Sequence, residues 1–244
     1  MERRIKVKIC GITKPQETRY LNEAGADYAG FVFFAKSKRN VTVDEALAIQ
    51  AELHPPIKRV AVTVAPDRRL VERIEDAGFD ILQVHQLIDR EILEHVHIPV
   101  WFAVNIADEV QLTEKIKFLE ELPDVLFDKI EAIVVDGADY GSGKTFDWQQ
   151  SEGIRDRAVF VGRKFVLAGG LNEENVTEGI RRFQPDIVDV SSGVEGMDGK
   201  DQDKINGFIR KVRDYEEESI LRTVWRPVCG RVTDEHIGGT GCGV

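Results

Sequence analysis

The stretch Ala24-Gly25-Ala26-Asp27-Tyr28-Ala29-Gly30-Phe31-Val32-Phe33 reads as a helix stop followed at once by a buried strand. Glycine just past a helical run takes the left-handed conformation that ends a helix. The run Tyr28–Phe33 is apolar without alternation. The same corner returns as Gly78-Phe79-Asp80 and, without the glycine, as Pro185-Asp186. Outward from these corners, strands are predicted at Ile5–Cys10, Tyr28–Phe33, Val60–Val64, Ile81–Val84, Val100–Asn105, Ala132–Asp136, Phe165–Ala168 and Ile187–Val190. Nearly all of these runs are apolar, as parallel strands covered on both faces are. Amphipathic stretches at Lys14–Ala24, Val43–Leu53, Arg68–Ala77, Glu109–Glu121, Glu173–Arg182 and Asp203–Glu217 read as helices, with shorter ones after the fourth and sixth strands. Eight strand–helix units in about 215 residues suit a (β/α)8 or TIM barrel, a single α/β domain. An open doubly wound sheet more often carries a Gly-x-Gly-x-x-Gly turn after its first strand, and none is present. The barrel is expected to occupy residues 1–218. The segment 219–244, with Gly238-Gly239-Thr240-Gly241-Cys242-Gly243, reads as an appendage with little to bury.

The chain has 244 residues, with 33 Lys+Arg against 43 Asp+Glu and a formal charge of −10. Apolar residues at 42% and charged residues at 31% mark a folded chain, neither disordered nor membrane-embedded. The acidic balance argues against nucleic acid as the main partner, because phosphate backbones require a basic face. A small anion, which answers to a local site, stays open. The first residues alternate charge with apolar side chains and offer no signal-peptide core, so a cytoplasmic protein without membrane contact is expected. The three cysteines, Cys10, Cys229 and Cys242, form no Cys-x-x-Cys pair. That spacing supports neither a disulfide framework nor a zinc site.

In a (β/α)8 barrel the site lies at the C-terminal ends of the strands. Those ends supply Cys10-Gly11, the segment Phe34 to Arg39, Ala65, Gln83 with His85, Asn105, Asp136, Gly169-Gly170 and Ser191-Ser192-Gly193. The glycine turns after strands seven and eight stand where this fold often binds phosphate through backbone N–H groups. Gly169-Gly170 also reads as a plain tight turn. The loop Gly141-Ser142-Gly143-Lys144 has the look of a flexible cover but lacks nucleotide P-loop spacing. Two readings of Cys10 stand: a small buried hydrophobe, or a base or nucleophile at the barrel mouth. Asp136 likewise reads either as a solvent-facing cap or as a general acid raised by its apolar surround.

Several segments together resemble the phosphoribosylanthranilate isomerase family. They are Lys8-Ile9-Cys10-Gly11-Ile12-Thr13, Gly30-Phe31-Val32-Phe33 with Lys36-Ser37-Lys38-Arg39, Gly143-Lys144-Thr145-Phe146-Asp147-Trp148, Leu167-Ala168-Gly169-Gly170-Leu171, and Asp189-Val190-Ser191-Ser192-Gly193-Val194-Glu195 with Gly199-Lys200-Asp201. The resemblance runs in order from residue 5 to about 212. It implies an Amadori rearrangement in tryptophan biosynthesis, converting N-(5-phosphoribosyl)anthranilate to 1-(2-carboxyphenylamino)-1-deoxyribulose 5-phosphate. By the match, Asp136 is the general acid that opens the furanose ring and Cys10 the base that takes the C2 proton. Arg39 falls beside the anthranilate carboxylate. The N–H groups around Gly169, Gly170, Ser192 and Gly193 hold the phosphate, and Gln83, His85 and Gly143 complete the substrate-binding set. No metal and no organic cofactor is implied. The partner is a small phosphosugar, and a monomer or homodimer is expected.

The chain departs from the family's usual pattern at Gln86, where glycine is common, at Ala65, where asparagine is, and at Gly141-Ser142-Gly143. None of these touches Cys10, Asp136 or Arg39. A phosphosugar epimerase would bring histidine–aspartate pairs around a metal, whereas His85 is the lone histidine at these strand ends. A related two-substrate isomerase would carry aspartate in place of Cys10. A degenerate barrel that binds a phosphosugar-like anion without turnover is the rival from another class.

Overall fold

The computed structural model describes residues 4–105, 109–136 and 162–224. Eight parallel strands close into a barrel in sequence order: β1 Lys6–Cys10, β2 Tyr28–Phe33, β3 Lys58–Thr63, β4 Ile81–Val84, β5 Val100–Asn105, β6 Ile130–Asp136, β7 Lys164–Ala168 and β8 Ile187–Val190. The closing seam pairs Lys8 of β1 with Asp189 of β8. The described helices are α1 Pro15–Ala24, α2 Val43–Gln50, α3 Arg68–Asp76, α4 Arg90–His95, α5 Glu109–Glu120, the single turn α6 Asp124–Phe127, α7 Val176–Phe183 and α8 Gln202–Val224. The (β/α)8 expectation is met; the helix expected after β6 falls outside the described residues.

The corner that decides the fold has a clear mechanism. Gly25 sits at φ 69° and its N–H donates to Leu21 O, which ends α1. Asp27 then accepts from the N–H of Val7 at 2.9 Å, Asp80 from Arg59 at 2.8 Å and Asp186 from Phe165 at 2.7 Å. Each corner aspartate thus opens its own strand and satisfies the start of the strand beside it. Gln184, with no glycine at hand, takes the left-handed position itself at φ 46°.

Packing forms two layers, as pleating requires. Inside the barrel lie Tyr28, Val60, Val62, Ile81, Trp101, Val134 and Val166, with Tyr28 edge-on to Trp101 at 4.9 Å. Between sheet and helices lie Val7, Ile9, Phe31, Leu82, Phe102, Ile133, Leu167 and Phe208. Both faces of the strands are therefore dry, and their unalternating sequences follow.

Three boundaries differ from expectation for local reasons. The helix predicted from Glu173 starts at Val176, because Asn172 Oδ1 accepts from the N–H groups of Glu174 and Asn175 and holds a turn there. At the other end, α2 stops at Gln50 instead of Leu53. Finally α8 continues past Glu218 to Val224, so the division drawn at 218/219 falls inside a helix. Its buried face, Ile205, Phe208, Ile209 and Val212, anchors it to the barrel.

Candidate active site

The C-terminal ends of the strands surround a cavity of about 460 Å³. Cys10 closes β1 and Asp136 closes β6, and both reach it. Gln83 of β4, His85 just beyond it, and Arg39 from the loop after β2 also line the cavity, as do Gly169, Gly170 and Ser192. Seven strand-end residues and one loop residue named from sequence thus converge. An apolar wall of Val32, Phe34, Val62 and Val134 faces them. Gly143 lies outside the described residues, with the rest of its loop. Among the described residues no three His, Cys, Asp or Glu side chains gather as a metal site.

Burial pushes the Cys10 thiol up, with Lys8 acting against that rise, Asp189 adding to it and Lys200 opposing it. Burial, with the charges of Lys8 and Lys115, holds His85 at about 3, so its imidazole is neutral near pH 7. Its Nε2 lies 2.9 Å from Gln83 Nε2. Lys115, reaching in from α5, donates to His85 O at 2.7 Å and Ala103 O at 2.8 Å and fixes the end of β4 against β5.

Arg39 is aimed by its surroundings. Its side chain lies across Gly11, whose φ is 85° and where a Cβ would strike Arg39 Cδ. Nε donates to Glu195 Oε1, while the buried Nη2 finds no acceptor. Burial disfavours the Glu195 charge, but Arg39, Lys200 and Lys38 outweigh it and hold that carboxyl at about 2. The free edge of the guanidinium is thus available for a planar anion.

The two glycine turns meet on the other side. Gly169 and Gly170 have φ of 90° and 66°. Among the described residues no backbone carbonyl accepts from the N–H of Gly170. Gly193 itself does not line the cavity; a Cβ there would collide with Leu171 O, so its lack of a side chain lets the turn after β8 pack against the turn after β7. Ser191 Oγ donates to Cys10 O at 2.9 Å and ties that turn to β1.

The family described as N-(5'phosphoribosyl)anthranilate (PRA) isomerase matches residues 7–211. The chain belongs to this family. N-(5'-phosphoribosyl)anthranilate isomerase of Clostridium kluyveri is 37% identical over 214 residues, covering 87% of this chain and all of the relative. The monomers made from dimeric phosphoribosylanthranilate isomerase of Thermotoga maritima superpose with a TM-score of 0.71 at 35% identity, covering 86% of this chain and 99% of that one. A phosphoribosylanthranilate isomerase bound to reduced 1-(o-carboxyphenylamino)-1-deoxyribulose 5-phosphate superposes with a TM-score of 0.70 at 33% identity and the same coverage.

Four charged residues of this isomerase chain have roles that sequence reading missed. Lys8 is wholly buried and donates to Asp189 Oδ2 at 2.8 Å, an ion pair inside the barrel. Lys200 donates to Ser191 O and to Glu195 Oε1, both at 3.0 Å, and so joins the turn after β8 to the Arg39 network. The signal was present in the strings Val-Lys-Ile and Val-Asp-Val: a charge flanked by apolar residues in a doubly covered strand has to find its partner indoors. Which partner it finds depends on the β1–β8 seam.

Proposed function

We propose that Asp136 and Cys10 are the acid and base of the phosphoribosylanthranilate isomerase reaction in this chain. Asp136 donates its proton to the furanose ring oxygen. The C1–O bond breaks, and the nitrogen lone pair forms an iminium with C1. That cation makes the C2 proton acidic, and the Cys10 thiolate takes it, leaving an enolamine with a C1–C2 double bond. Transfer of the enol proton to C1 yields the C2 ketone, so reactant and product are isomers. Acid–base transfer and charge stabilisation account for every step.

Arg39 receives the anthranilate carboxylate on its unpaired Nη2 edge, and the N–H groups around Gly169, Gly170 and Ser192 receive the phosphate, with Gly193 letting the turn after β8 close on the turn after β7. Gln83 and His85 contact the sugar between these ends, the neutral His85 adding no charge against the iminium, and the family match adds Gly143 to the residues that bind the substrate. A cytoplasmic location and one- or two-chain assembly belong to the same proposal, the latter supported by the dimeric Thermotoga maritima relative. Among the described residues no helix is long and apolar enough to cross a membrane.

The observation that carries the reading is the convergence of Cys10, Asp136 and Arg39 on one cavity from β1, β6 and the loop after β2. The loss of anthranilate fluorescence from phosphoribosylanthranilate tests it. Cys10→Ala and Asp136→Asn are expected to lower turnover by about 10²–10⁴-fold with folding intact. Near-wild-type turnover in either variant contradicts that residue's assignment.

A further inference from the structure

Lys8 and Cys10 are two residues apart on β1 and point to the same side of the strand, toward the barrel interior. The register sets Gly30 of β2 opposite Cys10. A Cβ on Gly30 would stand 3.0 Å from Cys10 Sγ and 3.2 Å from Lys8 Cε, so the bare glycine leaves one small space bounded by both side chains. On the other side of β1, Asp189 sits across from Lys8 and accepts from its Nζ through Oδ2. Its Oδ1 is buried and makes no hydrogen bond, and Asp189 also reaches the cavity wall. A lysine taken wholly out of water keeps its proton only where anionic partners compensate. Here Asp189 supplies one.

We infer that the buried ammonium of Lys8, balanced by Asp189, is the internal counter-ion of the Cys10 sulfur, which makes Lys8 a positioning residue for the base. The inference rests on the base role proposed for Cys10. Burial alone leaves a thiol protonated near pH 7, and a protonated thiol cannot take the C2 proton. A cation beneath the sulfur opposes that rise without cancelling it, and the carboxylate beside the cation keeps the opposition moderate, so more thiolate forms than burial alone would allow and it stays strongly basic. Burial works against the charge of Lys8, but Asp189 and Cys10 together hold its proton above the ordinary lysine range. The remaining charged or titratable groups near the sulfur are Lys200 from the turn after β8, Asp136 from β6, the neutral His85 after β4, and Arg39 after β2. Lys200 is engaged by Ser191 and Glu195, and Arg39 by Glu195.

Iodoacetamide alkylation of Cys10 in the full chain, followed against pH and read by peptide mass mapping, tests this. Mapping separates Cys10 from Cys229 and Cys242. The alkylation midpoint reports the thiolate. Lys8→Met is expected to raise the Cys10 midpoint by about one to three pH units, and Asp189→Asn to lower it. Turnover of Lys8→Met near pH 7 should fall roughly tenfold per unit of that rise and recover as pH increases. An unmoved midpoint in Lys8→Met, or the same direction of shift in both variants, overturns the inference. Should Lys8→Met fail to fold, the neutral pair Lys8→Met/Asp189→Asn decides: a midpoint above wild type supports it, and an unmoved one overturns it. The two readings separate cleanly. Full turnover in Cys10→Ala removes the base role whatever the midpoints do, and unmoved midpoints remove the counter-ion while leaving that role intact.

Discussion

Gly30 is the residue on which the geometry around the sulfur turns. A methyl group there enters the space between Cys10 Sγ and Lys8 Cε, and one of them must shift by a few tenths of an ångström. Gly30→Ala is therefore expected to cut kcat by about ten- to a hundredfold while circular dichroism stays native. Unchanged kcat would show that the strand absorbs the methyl group without moving the thiol. Glu195 makes a prediction of a different kind. Its carboxyl lies at about 2 in the folded chain against about 4.3 for an unperturbed glutamate, so its ion pairs stabilise fully above the latter value. That contribution fades as pH falls from about 4.3 through about 2. Wild type should melt well above Glu195→Gln at pH 6, and the gap should close across that acid window. A constant gap down to pH 2 would assign the loss to shape and not to charge. At this scale the sequence was informative about place: it put Cys10, Asp136 and Arg39 at the barrel mouth, and all three line the cavity there. It was silent on Lys8 and Glu195, whose meaning lies in partners far along the chain.

The αβ corners are the elements that set the register of the barrel. Asp27, Asp80 and Asp186 each accept from the N–H of a residue twenty or twenty-one positions earlier, on the neighbouring strand. Removing such a charged acceptor strands a partly buried N–H group. Asp186→Ala should cost about 1–3 kcal/mol in urea unfolding, with Asp186→Asn losing less because an amide oxygen still accepts. Equal losses in both variants would point to the charge and not the hydrogen bond. The repeat of Gly-x-Asp was legible as a stop-and-start signal, since glycine termination is local. The cross-strand bond was not, because it exists only once two strands lie side by side. In the same way Asn172 and Asn175 kept the start of α7 from the position that hydrophobic spacing predicts, by competing for the backbone with their own side chains.

For the whole molecule, α8 fastens the end of the described chain to the start of the barrel. Arg213 donates to Ile5 O at 2.8 Å, and Ile5 N–H donates to Glu216, so α8 closes on the entry to the first strand. Every one of these contacts precedes Val224. A chain ending at Val224 is expected to keep both melting temperature and turnover. A clear fall in either, or a change of size in gel filtration, would show that residues 225–244 pack on the barrel or on a second copy. The order of elements, the largely apolar parallel strands and the residues at the strand ends were legible in the sequence alone. Helix stops, burial and turn chemistry act over a few residues, and a barrel places the end of every strand at one mouth. Tertiary structure alone decided how the charges pair: Lys8 with Asp189 across the closing seam, and Glu195 between Arg39, Lys38 and Lys200. An interior charge in low dielectric takes the nearest opposite partner, and only closure of the sheet makes residues 181 positions apart neighbours.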